Sequence, residues 1–200
     1  MLRRMKTNMK LFLATLMLGC VAVIGSSHAA AAEPMTAFQL IKEGNRFIGE
    51  QSKDKVVQIR SEKSIGSLQP NIWWIVYFDT TASMKAVEVK FGGGQMMEVK
   101  RPFRLLERAF AEDKILDRDK LKIDSDKAID IAKKQPLLEN LTLKATRLQL
   151  DRWEGTTTWK VRLYASKLAS PNKDVDIGEV FVSADEGKVL KTDLHINRVD

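Results

Sequence analysis

Cysteine and histidine are almost missing from this chain of 200 residues: Cys20 is its single Cys, and His28 and His195 are its only His. A structural zinc site takes four ligands, mostly Cys and His, so that donor set cannot be assembled here. A Ser-His-Asp site past the N-terminal segment would have to use His195, and no Gly-x-Ser-x-Gly elbow accompanies it. His195 therefore reads as a polar residue near the end of the last strand. Gly92-Gly93-Gly94 is not followed by the Gly-Lys-Ser/Thr of a phosphate-binding loop. Two acidic pairs, Asp117-x-Asp119 and Asp124-x-Asp126, would start calcium loops whose sixth residues are Lys122 and Ile129, where such a loop needs Gly. No catalytic, cofactor-binding or metal-ligating set is expected.

Long apolar runs are scarce too. The longest, Leu11 to Ile24, has 14 residues, short of the ~20 of a spanning helix. Arg3, Arg4, Lys6 and Lys10 precede it, and Ala29-Ala30-Ala31-Ala32 follows. Basic, apolar and small residues in that order describe an export signal over 1–32, with cleavage after Ala32. Lipid attachment at Cys20 is disfavoured, because Leu18 stands where a small residue is needed and the residues after Cys20 stay apolar. A periplasmic or secreted protein is the expectation, with no stable membrane insertion.

Removing that segment changes the charge reading. The whole chain carries 33 basic and 26 acidic residues, a net +7. Residues 33–200 keep 29 basic and all 26 acidic ones, a balance of +3. Most of the basicity belongs to targeting, and no Lys/Arg run marks a nucleic-acid footprint. Cys20 leaves with the segment, so 33–200 can form no intramolecular disulfide in a compartment that permits them.

What is present is a repeat. Thr36-Ala37-Phe38-Gln39 has the form of a capping box opening a helix, with Met35 and Leu40 placed as a hydrophobic staple. Strands are expected at 55–60, 72–79, 85–91 and 95–101, the last two joined by the glycine triplet. Residues 102–110 read as a linker or short helix with Phe103, Leu106 and Phe110 on one side, and the charged stretch to Lys122 as exposed. Asp124 then caps a second helix, Ile123 and Ala128 form its staple, and Pro136 stops it. Strands follow at 145–152, 157–165, 176–183 and 188–195. Equivalent points lie 85 to 93 residues apart, so the order repeats while the loops differ.

The second half resembles a PepSY domain. The resemblance rests on Ile123-Asp124-Ser125-Asp126-Lys127-Ala128-Ile129-Asp130-Ile131-Ala132, on Trp159-Lys160-Val161, and on the hairpin from Glu179 to Leu190. It covers roughly 121–194, and the first half looks like a diverged copy over roughly 36–101. The resemblance implies an α+β fold of two tandem modules, each one helix on an antiparallel sheet of three to four strands. Their expected bounds are 33–101 and 123–200, with 102–122 as linker. It also implies a non-enzymatic role, such as inhibition or regulation of a cell-envelope peptidase; the alternative expectation is a structural or small apolar-ligand-binding envelope protein.

Alternation along the aromatic strands assigns faces. In the second half Trp159, Val161 and Leu163 should be buried, with Lys160, Arg162 and Tyr164 on the wetter side. In the first half Ile72, Trp74, Val76 and Phe78 should be buried. That leaves Trp73, Ile75 and Tyr77 on an apolar second face needing a cover. The other half or the 102–110 segment would supply it, or else a protein, a peptide or a small apolar ligand. Trp73, Ile75 and Tyr77 are thus the candidate contact residues.

Overall fold

The computed structural model describes residues 35–102 and 110–200. The export-signal expectation and the expected roles of Phe103 and Leu106 lie outside the described residues. Two helices and eight strands follow one another as α1 (Ala37–Gly44), β1 (Val56–Ser61), β2 (Ile72–Phe78), β3 (Ala86–Gly92), β4 (Gln95–Lys100), α2 (Ser125–Lys133), β5 (Leu143–Trp153), β6 (Thr156–Ser166), β7 (Asp174–Ser183) and β8 (Val189–Leu194). The fold is α+β, and helix then four-strand meander occurs twice in chain order.

Both helices start where side chains replace missing backbone partners. The Thr36 hydroxyl accepts from the Gln39 amide, and the Gln39 side chain accepts from the Thr36 amide, closing the expected capping box. Asp124 caps α2 by accepting from the Ser125 amide at 2.7 Å. The same carboxylate oxygen accepts from the Phe38 amide of α1 at 3.1 Å, while the Ser125 hydroxyl accepts from the Ala37 amide at 3.1 Å. Two helix N-termini therefore share one anionic cap, where the macrodipoles favour negative charge. The first helix ends at Gly44, after which the chain tightens into a 3₁₀ turn, Asn45–Phe47.

The eight strands make one antiparallel sheet in the order β4-β3-β2-β1-β5-β6-β7-β8. The linker at 102–122 does not separate two sheets, because β1 and β5 pair directly, Ile59 opposite Leu150 and Arg60 opposite Gln149. That junction is short, and serines extend it: Ser61 and Ser64 hydroxyls accept from the Leu148 and Thr146 amides at 2.8 and 2.9 Å. The main hydrophobic cluster draws on α1, α2 and both halves of the sheet, including Leu40, Ile59, Ile75, Phe91, Ile129, Leu150, Trp159 and Val180. The two halves join through a sheet edge and share one core on the helix side.

Turn chemistry explains the tight hairpins. Gly93 and Gly94 have φ of +59° and +77°, the pair of positive values that a two-residue turn twisted like its strands requires. Beyond β4, the described part of the linker resumes at Phe110, whose amide donates to the Met84 carbonyl at 3.1 Å. Phe110 and Ile115 cover a second small cluster of Val57, Val76, Phe78 and Ala86, on the sheet face away from the helices. The next residue, Leu116, belongs to the main core, and its amide donates to the Val56 carbonyl at 2.7 Å.

Candidate functional site

The aromatic strand β2 is turned over relative to the alternation expected of it. Trp73, Ile75 and Tyr77 face the helices, with 2%, 0% and 0% of their surface exposed. The Trp73 indole N–H donates to the Pro70 carbonyl at 3.0 Å, and the Tyr77 hydroxyl donates to the Ile41 carbonyl of α1 at 2.9 Å. Burial pushes the Tyr77 phenol well above its usual range, and the nearby Asp54 charge adds to that shift. None of the three is placed to touch a partner; they are core. The expected burial of β6 does hold: Trp159, Val161 and Leu163 are fully buried, and the Trp159 indole N–H donates to the Ile123 carbonyl at 2.7 Å.

With β2 turned, Trp74 lies on the other face of the sheet. Arg60 and Lys90 sit over its ring, 5.3 and 4.8 Å from the centroid. Arg60 also donates to Glu88 at 2.9 Å, a carboxylate only 1% exposed. The second half continues the face with Lys160–Asp151 at 3.1 Å and Arg162–Glu179 at 2.7 Å. The hydrogen bond from Arg162 to Glu179 raises the guanidinium pKa further, against the opposing effect of its partial burial. The cover that the second face of β2 needs thus comes from within: Phe110 and Ile115 at one end, cation–π contacts over Trp74 at the other. Arg60, Lys160 and Arg162 on this face thus each lie beside a carboxylate.

The sheet edges are different. All six residues of β4 are exposed, and three are apolar: Met96, Met97 and Val99, at 39%, 58% and 40%. As the last strand in the order, β4 pairs with β3 alone among the described residues, and none of them occupies its outer row of amides and carbonyls. Its far end is tied down. Arg101 reaches the Asp79 carboxylate at 3.2 Å and the Thr81 hydroxyl at 3.3 Å. Burial of Asp79 raises its carboxyl pKa, but hydrogen bonds from the Thr81 hydroxyl and amide and the Arg101 charge outweigh it and hold the group below its usual range.

Other arrangements carry less chemistry. His195 follows β8 on the surface, 3.4 Å from Asp193. Among the described residues no group of three or more His, Cys, Asp or Glu is placed to hold a metal ion. A cleft of about 310 Å³ lies between α1 and the linker, floored by Phe38, Ile41, Val56, Leu116 and Leu121 and rimmed by Lys42, Asp54 and Arg118. No described helix is long and apolar enough to cross a membrane.

Comparison with protein families, curated proteins and solved structures returns no match to this chain. The open edge went unread in the sequence because Gln95–Lys100 looks like any half-apolar strand. The four-strand meander has two edges, and the pairing of β1 with β5 covers one and leaves β4 as the other. The one local signal was Pro102, a residue that cannot continue a ladder.

Proposed function

We propose that this protein is an exported, non-enzymatic binding module that takes an extended segment of another polypeptide along the edge of its sheet. The observation carrying this reading is β4: six exposed residues, an open backbone row and three exposed apolar side chains. Strand addition uses main-chain hydrogen bonds for affinity and alternate side chains for selectivity. Exposed apolar edges are usually blunted in soluble proteins because they recruit strands. The export-signal pattern of 1–32 sets the compartment. The PepSY resemblance of the second half suggests a cell-envelope peptidase as the class of partner, held or inhibited by the bound edge.

Replacing Val99 by Pro removes one backbone donor and leaves the buried core intact. We expect the wild-type protein to retain an envelope peptidase on an affinity column and to slow its hydrolysis of an unfolded substrate. Val99→Pro should lose both effects while melting within a few degrees of wild type. Equal retention and inhibition by the two proteins would refute the edge reading.

A second reading rests on the cleft between α1 and the linker. Its volume is at the lower end of small-molecule sites, and its apolar floor fits a small apolar compound. Native mass spectrometry of the purified protein would reveal retained ligand. A bare mass, with no thermal shift across apolar carboxylates and sterols, would remove this reading.

A further inference from the structure

The charges on β4 and its neighbour form an ordered pattern. Across the β3–β4 ladder Lys90 stands opposite Glu98, and Glu88 stands opposite Lys100. Directly opposed residues share a face, so Glu98 and Lys100 lie on the side of Glu88 and Lys90, away from the helices. Within β4 those two side chains are 3.8 Å apart and about half exposed. Val99, between them, is opposite Val89 and points to the helix side, where Val89 belongs to the core. Every charge on β4 therefore already faces an unlike charge on one side, and its other side meets no described residue.

We propose that β4 pairs with β4 of a second copy of this chain, antiparallel and centred on Val99. The proposal rests on the reading of β4 as a strand-accepting edge and names its occupant. In that register Val99 meets Val99, Glu98 meets Lys100 of the second copy, and Lys100 meets Glu98. The sign alternation seen between β3 and β4 then runs on across the two-fold axis, and the exposed valines cover each other.

The alternatives are excluded by the sequence of the strand. A slip that shifts the sum of paired residue numbers by one sends each side chain to the wrong face. The nearest slips that keep the faces are centred on Glu98 or Lys100. The first sets Glu98 against Glu98, and the second sets Lys100 against Lys100, each placing like charges at cross-strand distance, which is destabilising. Only the Val99-centred register opposes unlike charges at both positions. An interface made of one strand pair buries little surface, so a weak, reversible dimer is expected.

Analytical ultracentrifugation of protein expressed from the full sequence, in a Cys20→Ser background, tests this over a wide concentration range. Wild type should show a reversible monomer–dimer equilibrium that weakens with salt. Glu98→Lys and Lys100→Glu each replace two unlike pairs by two like pairs and should each weaken the dimer at least tenfold. Mixing those two variants restores Lys–Glu opposition at both positions, so the mixture should dimerise where neither variant does alone. Val99→Cys should form an intermolecular disulfide under mild oxidation faster than Glu98→Cys or Lys100→Cys, because only residue 99 faces itself within disulfide reach. Circular dichroism melts confirm that each variant is folded.

A dimer unaffected by both charge reversals, or one cross-linked faster through residue 98 or 100, overturns the register and with it the proposal. A protein monomeric at every concentration, with no Val99→Cys cross-link, overturns self-pairing. Loss of peptidase capture in Val99→Pro would then still support the edge as a site for a different strand.

Discussion

Tyr77 links one glycine and one carbonyl in the core to one charge at the surface, Asp54. Its hydroxyl reaches the Ile41 carbonyl only because Gly44 has no side chain: a Cβ built there would lie 2.2 Å from the phenol oxygen. Gly44 costs α1 about 1 kcal/mol of helix propensity relative to Ala, yet Gly44→Ala should be destabilising, by about 1–3 kcal/mol through overpacking. The penalty should shrink in a Tyr77→Phe background, a coupling that a double-mutant cycle in urea measures. Tyr77 also predicts a pH dependence. The folded protein keeps the phenol proton above pH 10.0, where the free side chain is more than half ionised. Its contribution to stability is therefore complete below pH 10.0 and falls as pH rises toward the folded value. In urea melts between pH 9 and 11, Tyr77→Phe should flatten that decline. A slope identical to wild type would show that other groups cause it.

Trp159 is the corresponding anchor of the second half. Its ring stacks on Phe38 of α1, with centroids 6.1 Å apart, and its indole holds the Ile123 carbonyl ahead of α2. We expect Trp159→Ala to cost about 3–5 kcal/mol from lost transfer energy and the cavity left behind. A loss under about 1 kcal/mol in denaturant melts would contradict that role. This residue was legible from alternation, since Lys160 and Arg162 leave only one face for Trp159. Trp73 and Trp74 were not. Both alternates of β2 are apolar, so periodicity could not choose between them, and the choice fell to Arg60 and Lys90, which stack on Trp74 from the flanking strands β1 and β3.

At the scale of elements, the two helix starts depend on one carboxylate. Asp124 accepts from the amides of Ser125 and Phe38, so Asp124→Ala removes a cap from α2 and a partner from α1. A single cap is worth about 0.5–2 kcal/mol, and we expect Asp124→Ala to reach or exceed the top of that range. Hydrogen exchange should show faster loss of protection at the first turns of both helices; an effect confined to α2 would show that the shared cap contributes nothing to α1. The cap on α2 could be read from Ile123-Asp124-Ser125, and the capping box on α1 from Thr36 and Gln39. Their meeting could not, because 86 residues separate Asp124 from Phe38. The Asp79–Arg101 contact acts on β4 in the same way: the Thr81 and Arg101 contacts hold the carboxyl below its usual range, so its contribution is lost, and the end of β4 released, only as pH falls below that range.

At the scale of the molecule, the eight strands and two α-helices of the described residues enclose one main core. Differential scanning calorimetry should therefore record one cooperative transition, with calorimetric and van't Hoff enthalpies in agreement. Two resolved transitions would show that the halves fold independently. Ser61 and Ser64 lie at the weakest seam, where β1 and β5 exchange only a short ladder, so replacing both with Ala should lower the melting temperature without splitting the transition. The chain by itself determined the strands, the helix starts, the turns and the repeated order, because each depends on residues a few positions apart. Tertiary structure alone decided that the halves join by β1 and β5, that Trp73, Ile75 and Tyr77 face inward, and that β4 is left open. Those outcomes depend on which strands become neighbours, and pairing across about ninety residues is set by the burial of the whole sheet rather than by any local pattern.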